Sequence, residues 1–192
     1  RVLFGAANPS GRLPFAVPAR EADLPPFDHE SEEVRYEYFH GYEHLDRAGI
    51  APRFPFGYGL SYTTFAFERL RARREEVRPG VPPGGDGARS APEPAVVATV
   101  DVTNTGGRRG ATVVQCYIGW PDSRVERPIR RLHAFDKVWL DPGETRTVEL
   151  TVPLADLAYY DAATGTWVQE EGRLIVYVGP WNEESLLVTA EV

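Results

Sequence analysis

Seven short, β-rich segments between Thr63 and the C-terminus constrain the fold more than any other feature of the chain. Each is strand-sized and rich in Val, Ile, Thr or aromatic residues, the residues that favour strands. Gly, Pro, Asn and Asp separate them at turn-like positions. The segments cover residues 64–70, 95–102, 112–118, 134–140, 147–152, 173–178 and 186–192. This spacing predicts a mainly β protein, an antiparallel β-sandwich of immunoglobulin or fibronectin-III type.

The first sixty residues have a different pattern. Residues 13–18 form a short extended run, 23–33 have the composition of a surface loop, and 34–42 alternate as a short strand or an extended segment does. With no amphipathic helix predicted, these residues contain too few periodic apolar positions to build a core of their own. We therefore expect two parts, an N-terminal segment over 1–60 and a sandwich over 61–192.

The boundary falls in an unusual string of residues, Phe-Pro-Phe-Gly-Tyr-Gly-Leu-Ser-Tyr-Thr-Thr-Phe over 54–65, which we call the aromatic joint. Its proline and glycines disfavour a helix, and the residues after them favour a strand. The joint holds five aromatic side chains. Since each such ring can bury roughly 150 to 250 Å², the joint is predicted to be clamped between two packed bodies.

Residues 77–94 resemble a linker more closely in composition, because Pro, Gly, Ala and charged residues dominate them. The alternating run 64–70 before them needs the sandwich to bury its apolar face. We therefore predict that 77–94 are a disordered insertion in the hairpin between the first two strands, and not a domain boundary.

Charge and hydropathy exclude several classes of partner. The net charge of −7 argues against nucleic acid, which requires a clustered basic surface. The basic clusters at 69–74 and 127–131 are the exceptions, and the first, which is followed by two glutamates and a Pro/Gly-rich loop, is interpreted as a solvated strand end. No apolar run approaches the ~20 residues of a membrane-spanning helix. The single cysteine, Cys116, lies in an apolar run and is predicted to be a small core residue.

No catalytic, cofactor or metal constellation is found in the sequence. His40 and His44 have a spacing that could bind zinc on a helix, but no third ligand follows at a diagnostic distance. Carboxylates are abundant without forming a recognisable pair. The candidate carboxylates are Glu32, Glu33, Glu37, Asp46, Asp161, Glu170 and Glu171.

Sugar-binding modules stack aromatic rings on pyranose faces, which makes the four tryptophans relevant to carbohydrate contact. Trp139 alternates within a strand and is predicted to lie in the core, whereas Trp167 should pair across a hairpin with the Tyr159–Tyr160 run. Trp120 and Trp181 each follow a strand beside a proline, so they could be exposed at loop ends. They are the only candidates for carbohydrate contact.

Several strings in order along the chain resemble glycoside hydrolase family 3, the β-glucosidase and β-xylosidase family. The aromatic joint is similar to the string that links the second domain of that family to its fibronectin-III-like domain. Residues 8–14, Asn-Pro-Ser-Gly-Arg-Leu-Pro, resemble a motif upstream of it. Downstream matches lie at 125–128, 140–145, 156–161 and 167–168. The resemblance therefore covers almost the whole chain.

The resemblance implies that residues 1–60 are the C-terminal tail of the family's α/β sandwich domain. It also implies a parent enzyme that hydrolyses β-glycosidic bonds of oligo- or polysaccharides without a cofactor. The family's nucleophile, an Asp in an SDW-like motif, and its acid/base Glu both lie upstream. We therefore carry over no catalytic residue, and expect the chain alone to be inactive and to partner the upstream catalytic domains.

One loop departs from the family pattern. Gly41, Tyr42 and Asp46 match it, whereas Glu43 replaces the usual arginine and residues 44–45 replace aromatics. The departure puts a substrate-contacting role of this loop in doubt.

Two further expectations follow from the chain as a piece of a larger enzyme. It begins at Arg1 without a methionine, which predicts a missing N-terminus. Leu13, Phe15, Phe39 and Tyr42 should then be poorly buried. The alternative is a stand-alone carbohydrate-binding or cell-surface β-sandwich module, which would hold polysaccharide through Trp120 and Trp181.

Overall fold

The computed structural model describes residues 1–28, 30–78 and 91–192. One α-helix and nine strands lie in these ranges, with short 3-10 turns at Glu21–Asp23, Leu154–Leu157 and Glu184–Leu186. The helix is α1 (Gly41–Ala48). The strands are β1 (Phe65–Val77), β2 (Glu93–Asn104), β3 (Gly110–Gly119), β4 (Arg131–Leu140), β5 (Thr145–Pro153), β6 (Tyr159–Asp161), β7 (Thr166–Val168), β8 (Ile175–Gly179) and β9 (Val188–Glu191). None of the helices described has the length and apolarity needed to cross a membrane.

The strands form two main antiparallel sheets. The first has the order β1-β2-β5 and the second the order β4-β3-β8-β9, while β6 and β7 form a separate two-stranded ribbon. The predicted antiparallel sandwich is therefore confirmed, and each of the seven predicted strands is present. The ribbon adds two more strands, on either side of the turn at residues 162–165.

The core lies between the two main sheets, where alternate residues of each strand point inward. From the first sheet it takes Val96, Ala98, Val100, Val102, Val148, Leu150 and Val152. From the second it takes Val114, Cys116, Ile118, Val138, Leu140, Val176 and Val178. Cys116 is fully buried, as predicted, and burial raises the pKa of its thiol to about 12. It is therefore an unreactive packing residue.

The hairpin that joins β1 to β2 contains the predicted insertion. β1 ends at Val77 and β2 begins at Glu93, which are close to the limits proposed for the insertion. Residues 79–90 lie outside the described residues. The prediction that the insertion is disordered therefore remains a prediction.

The N-terminal segment contains a helix that the sequence interpretation missed. Residues 34–42 form no strand, and α1 begins at Gly41. The helix ends at Gly49, whose φ of 65° lies in the left-handed region, and Ile50 N–H donates to Leu45 C=O (2.9 Å). This closure is a glycine cap. At the other end Gly41 begins the helix with a φ of 59°, a left-handed value that glycine adopts without strain.

Trp139 lies on the outer face of β4, so the prediction that it belongs to the core is wrong. Its neighbours Val138 and Leu140 are buried, whereas Trp139 is 48% exposed and lies beneath the Lys137 ammonium group. Both faces of β4 contain apolar residues, Phe135 and Trp139 on one and Val138 and Leu140 on the other. Alternation alone therefore could not identify the inner face.

The two adjacent positions provide a test of this inner and outer assignment. Leu140→Ala should reduce the free energy of unfolding by about 2–5 kcal/mol, because it leaves a cavity in the core. Trp139→Ala should cost less than about 1 kcal/mol, because its ring is half exposed. Urea denaturation followed by circular dichroism measures both values. Equal losses at the two positions would contradict the orientation of β4.

Candidate functional site at the aromatic joint

The first half of the aromatic joint pairs with the motif at residues 8–18. Leu13 N–H donates to Tyr58 C=O and Gly57 N–H donates to Leu13 C=O, both at 2.9 Å. Val17 N–H donates to Phe54 C=O at 2.8 Å, and these two residues form an antiparallel bridge. The two strings that carry the family resemblance are thus hydrogen-bonded to each other. The predicted extended run over 13–18 is confirmed as this pairing.

The backbone of the joint is hydrogen-bonded to the outer face of the second sheet. Gln115 Nε2 donates to Gly57 C=O at 3.3 Å, while its Oε1 accepts from the Tyr117 hydroxyl at 2.7 Å. Asn182 N–H donates to Phe56 C=O at 2.9 Å. Gln115 and Tyr117 are buried. The Gln115 amide also donates to Pro180 C=O, so the joint accepts one of the two hydrogen bonds that this buried amide group makes as a donor.

Aromatic rings surround these hydrogen bonds. The Phe56 ring lies 4.6 Å from that of Tyr42, between centroids, and Tyr42 meets Tyr117 edge to face at 6.5 Å. On the other side the Tyr58 ring meets Trp181 at 5.2 Å. Trp181 is therefore partly buried against the joint. The sandwich therefore supplies one of the two bodies between which the joint is predicted to be clamped, and the second body remains a prediction.

A buried polar cluster connects α1 to the sandwich beside the rings. Asn182 Nδ2 donates to an Asp46 carboxylate oxygen at 3.0 Å, and the Arg130 guanidinium lies 3.5 Å from the same oxygen. Arg130 also donates to Asn182 Oδ1. Burial raises the pKa of Asp46, against the opposing effects of Asn182 and Arg130. These side chains therefore hold one another and connect α1 to the sandwich.

The first turn of α1 is joined to β4 by two further contacts. The Glu43 carboxylate accepts from Arg131 at 2.6 and 3.0 Å, in a bidentate pair. The Tyr42 hydroxyl accepts from Leu132 N–H at 3.1 Å. Burial raises the pKa of Tyr42 to about 12, so its hydroxyl stays protonated at neutral pH. Glu43, which departs from the family pattern, thus has a structural partner in Arg131.

Phe39 is 4% exposed, so the expectation that it is poorly buried is wrong. Its ring meets Tyr38 edge to face at 4.8 Å and lies beneath the Arg47 guanidinium at 4.4 Å. Phe15 is exposed, as expected, whereas Leu13 and Tyr42 are partly buried. Phe39 is thus covered by neighbours within the N-terminal segment, whereas Tyr42 packs on Tyr117 of the sandwich.

Arg127 occupies the centre of a second buried cluster, beside Trp120. It donates to Glu170 Oε2 at 2.9 Å and to Leu157 C=O at 2.9 Å, and its guanidinium lies 4.6 Å from the Trp120 ring centroid. Burial works to raise the pKa of Glu170, but hydrogen bonds from Ser123, Arg124 N–H and Arg127 outweigh it, and the pKa is lowered. Glu170 is therefore an ionised partner of Arg127.

Trp120 is only 8% exposed, so the expected exposure at a loop end is wrong. The strand before it continues into the core, and Arg127 covers the ring. Trp181 is partly buried on the joint, as described above. The proposed carbohydrate contact of these two residues remains a prediction.

Trp167 pairs with Tyr160 across the ribbon, with ring centroids 5.6 Å apart. The hairpin pairing predicted for this tryptophan is confirmed. Unlike Trp120, both rings of the pair are exposed.

The remaining candidates from the sequence, Asp161 and the two histidines, lie outside these two clusters. Asp161 accepts from Ala163 N–H at 2.9 Å and from the Thr164 hydroxyl, so it caps its own turn. His40 is exposed before α1, and His44 is partly buried within it. Across 1–28, 30–78 and 91–192 no three His, Cys, Asp or Glu side chains could hold a metal ion together.

Sequence reasoning missed the polar residues Gln115, Arg130 and Asn182 that build this site, and it named Glu170 without finding its buried partner Arg127. Only Gln115 had a local signal, since it interrupts an apolar strand. The other three are ordinary surface residue types, and their burial depends on partners far away in the chain.

Comparison with known proteins agrees with this geometry. Residues 1–62 match the family model described as "Glycosyl hydrolase family 3 C-terminal domain", and residues 112–181 match that of the "Fibronectin type III-like domain". A "Probable beta-glucosidase I" of Neosartorya fischeri is 39% identical over 100% of this chain. A "Beta-glucosidase" of Rhizobium radiobacter is 39% identical over 90% of it. The chain spans 22% and 20% of the lengths of these two relatives.

Solved structures show the same arrangement. A Beta-D-glucoside glucohydrolase from Trichoderma reesei superposes with a TM-score of 0.82 at 31% identity, covering 100% of this chain and 27% of its own. Beta-glucosidase 3B from Thermotoga neapolitana, in complex with alpha-D-glucose, superposes with a TM-score of 0.80 at 34% identity, covering 100% and 25%. Fold and joint together define a fibronectin type III-like sandwich with an N-terminal segment docked on its outer face. The chain belongs to glycoside hydrolase family 3 and corresponds to the C-terminal part of its members.

Gly57 provides a test of how tightly the joint docks. Its φ is +81°, and a Cβ there would lie 2.2 Å from Gln115 Oε1. Gly143 is the matched control, because its φ is +76° and a Cβ would meet nothing within 4 Å. Both alanine variants carry the cost of a left-handed residue, roughly 1–2 kcal/mol. Gly57→Ala should lose a further 1–3 kcal/mol or so of unfolding free energy through overpacking. Equal losses would contradict the docking.

His133 predicts a pH dependence of stability. It lines a cavity of ≈ 60 Å³ beside Trp120. Burial, assisted by Arg131 and Arg127 and opposed by Asp156 and Glu43, lowers its pKa from 6.5 to about 4. The unfolded chain binds the proton first as pH falls, so stability is complete above pH 6.5 and is lost toward pH 4.

The expected loss between pH 7 and 4.5 is on the order of 1–2 kcal/mol from this group, discounted for its partial exposure. His133→Gln should remove that part of the slope, which urea unfolding at several pH values measures. His40→Gln is the control, since His40 is exposed. A slope that is unchanged in His133→Gln would contradict the assignment.

Proposed function

We propose that this chain is the C-terminal structural portion of a glycoside hydrolase that cleaves β-glycosidic bonds, and that it contributes neither catalytic carboxylate. The relatives named above, which are β-glucosidases, support the reaction class. Asp46, Asp161 and Glu170 are each held by neighbours in the described structure. A retaining glycosidase needs two carboxyl groups about 5–5.5 Å apart across the sugar, a role that these paired or capping carboxylates do not fit.

The distribution of exposed apolar side chains is the observation that carries the proposal. Twelve of the eighteen exposed large hydrophobic side chains in the described structure lie within residues 1–62, about a third of the chain. Phe4 is 92% exposed and Leu3 is 90% exposed. Apolar exposure so concentrated marks an interaction surface. The face of the joint that meets the sandwich is buried, so the exposed apolar side chains lie on the opposite face.

The partner that fits this surface is the upstream catalytic portion of the parent enzyme. The exposed residues flank the N-terminal motif and also lie in the loop before α1 and in the joint. The resemblance assigns these parts of the chain to the end of the α/β domain. In this arrangement the oligo- or polysaccharide substrate is bound by the parent, and the joint holds the sandwich at a fixed angle to it. The domain division near residue 60 is part of the same proposal.

A hydrolysis assay on the isolated chain tests this function. The chain should release no 4-nitrophenol from 4-nitrophenyl β-glucoside above the buffer rate, because both reacting carboxylates are missing. The β-glucosidase of Rhizobium radiobacter is the positive control, and near-ultraviolet circular dichroism verifies that the chain is folded. Turnover that co-purifies with the chain and rises with its concentration would refute the proposal.

A further inference from the structure

The β6–β7 ribbon presents a pair of aromatic rings to solvent. Trp167 is 71% exposed and Tyr160 is 55% exposed, and their T-shaped contact holds both rings in place. Trp167 is more exposed than any other tryptophan in the chain. The Asp161 cap of the tight turn fixes the ribbon behind them. The pair is therefore an oriented aromatic surface on a rigid support.

These rings form one side of a cleft of ≈ 450 Å³. Tyr38 of the N-terminal segment, which is also exposed, and the charged side chains Glu126 and Arg131 line it as well. The cleft volume lies within the ~300–1,000 Å³ typical of small-ligand sites. The cleft thus combines aromatic and polar groups in a space large enough for a small ligand.

Three of the four charged side chains that line the cleft are in ion pairs, and the fourth, Asp161, accepts hydrogen bonds from its own turn. Glu126 accepts from Arg47 at 2.6 Å, and Arg131 pairs with Glu43 at 2.6 Å. A charged ligand would have to compete with these pairs, whereas a neutral ligand could hydrogen-bond to their outer atoms. Exposed rings beside neutralised polar groups therefore favour a ligand that is uncharged, polar at its edge and apolar on its face.

We infer that this cleft binds a pyranose-containing oligosaccharide, with a sugar ring stacked on Trp167 and hydroxyls directed to Glu126 and Arg131. A pyranose has an apolar C–H face for the indole and a rim of hydroxyls for the polar side chains. The site differs from Trp120 and Trp181, whose rings are covered. It is independent of the proposed hydrolysis, because binding here is measured without turnover.

Calorimetric titration of the whole chain with cellohexaose, xylohexaose and maltohexaose tests the inference. At least one hexasaccharide should bind, and Trp167→Ala should weaken that binding about tenfold or more, a change that corresponds to about 1.4 kcal/mol. Tyr160→Ala should weaken it in the same direction. Trp139→Ala is the control, because that tryptophan is half exposed on β4, away from the cleft, and should bind as the wild type does.

A second measurement keeps the test independent of how the variants fold. In the nuclear magnetic resonance spectrum of the wild-type chain, the sugar should shift the indole N–H signal of Trp167 and leave that of Trp139 in place. Absence of binding by all three hexasaccharides would overturn the inference. So would a shift at Trp139 alone, or an equal loss of affinity in Trp139→Ala.

Discussion

The hydrogen bond from Gln115 to Gly57 C=O is the interaction on which the docking of the N-terminal segment depends. The first sixty residues contain one helix of eight residues, too short to be stable in water by itself. What orders them is the outer face of β3. There the buried side chain of Gln115 accepts from the Tyr117 hydroxyl and donates to two carbonyls, Pro180 C=O and, from the joint, Gly57 C=O.

This dependence explains why a glycine occupies the centre of the joint. The close approach of Gly57 to Gln115 leaves no space for a Cβ, and its left-handed φ would strain any other residue. The surrounding rings exclude water from the hydrogen bonds, which strengthens them in a low-dielectric environment. The aromatic and glycine content of the joint therefore has one physical cause, the docking of a backbone onto a sheet.

The sequence predicted the sandwich well, because local pattern determines a strand whose one face is buried. β5 alternates cleanly and β2 does so from Ala98 onward, and both were predicted at nearly their observed bounds. Prediction failed where local pattern is ambiguous. β4 is apolar on both faces, which misplaced Trp139, and α1 is too short for a helical period to be recognised. Trp120 was misjudged because Arg127, seven residues later, covers its ring.

The polar side of the joint could not have been predicted from any local pattern. Asp46, Arg130 and Asn182 come from three distant parts of the chain, and each is an ordinary surface residue type by itself. Breaking one member would leave a buried charge or amide without its partner, which costs more than the cluster contributes when intact. Such a cluster contributes more to the specificity of the docking geometry than to the free energy of unfolding. A brace requires an angle between sandwich and N-terminal segment that is specified in this way. Such an angle is consistent with a chain in which most of the exposed large apolar side chains lie within residues 1–62.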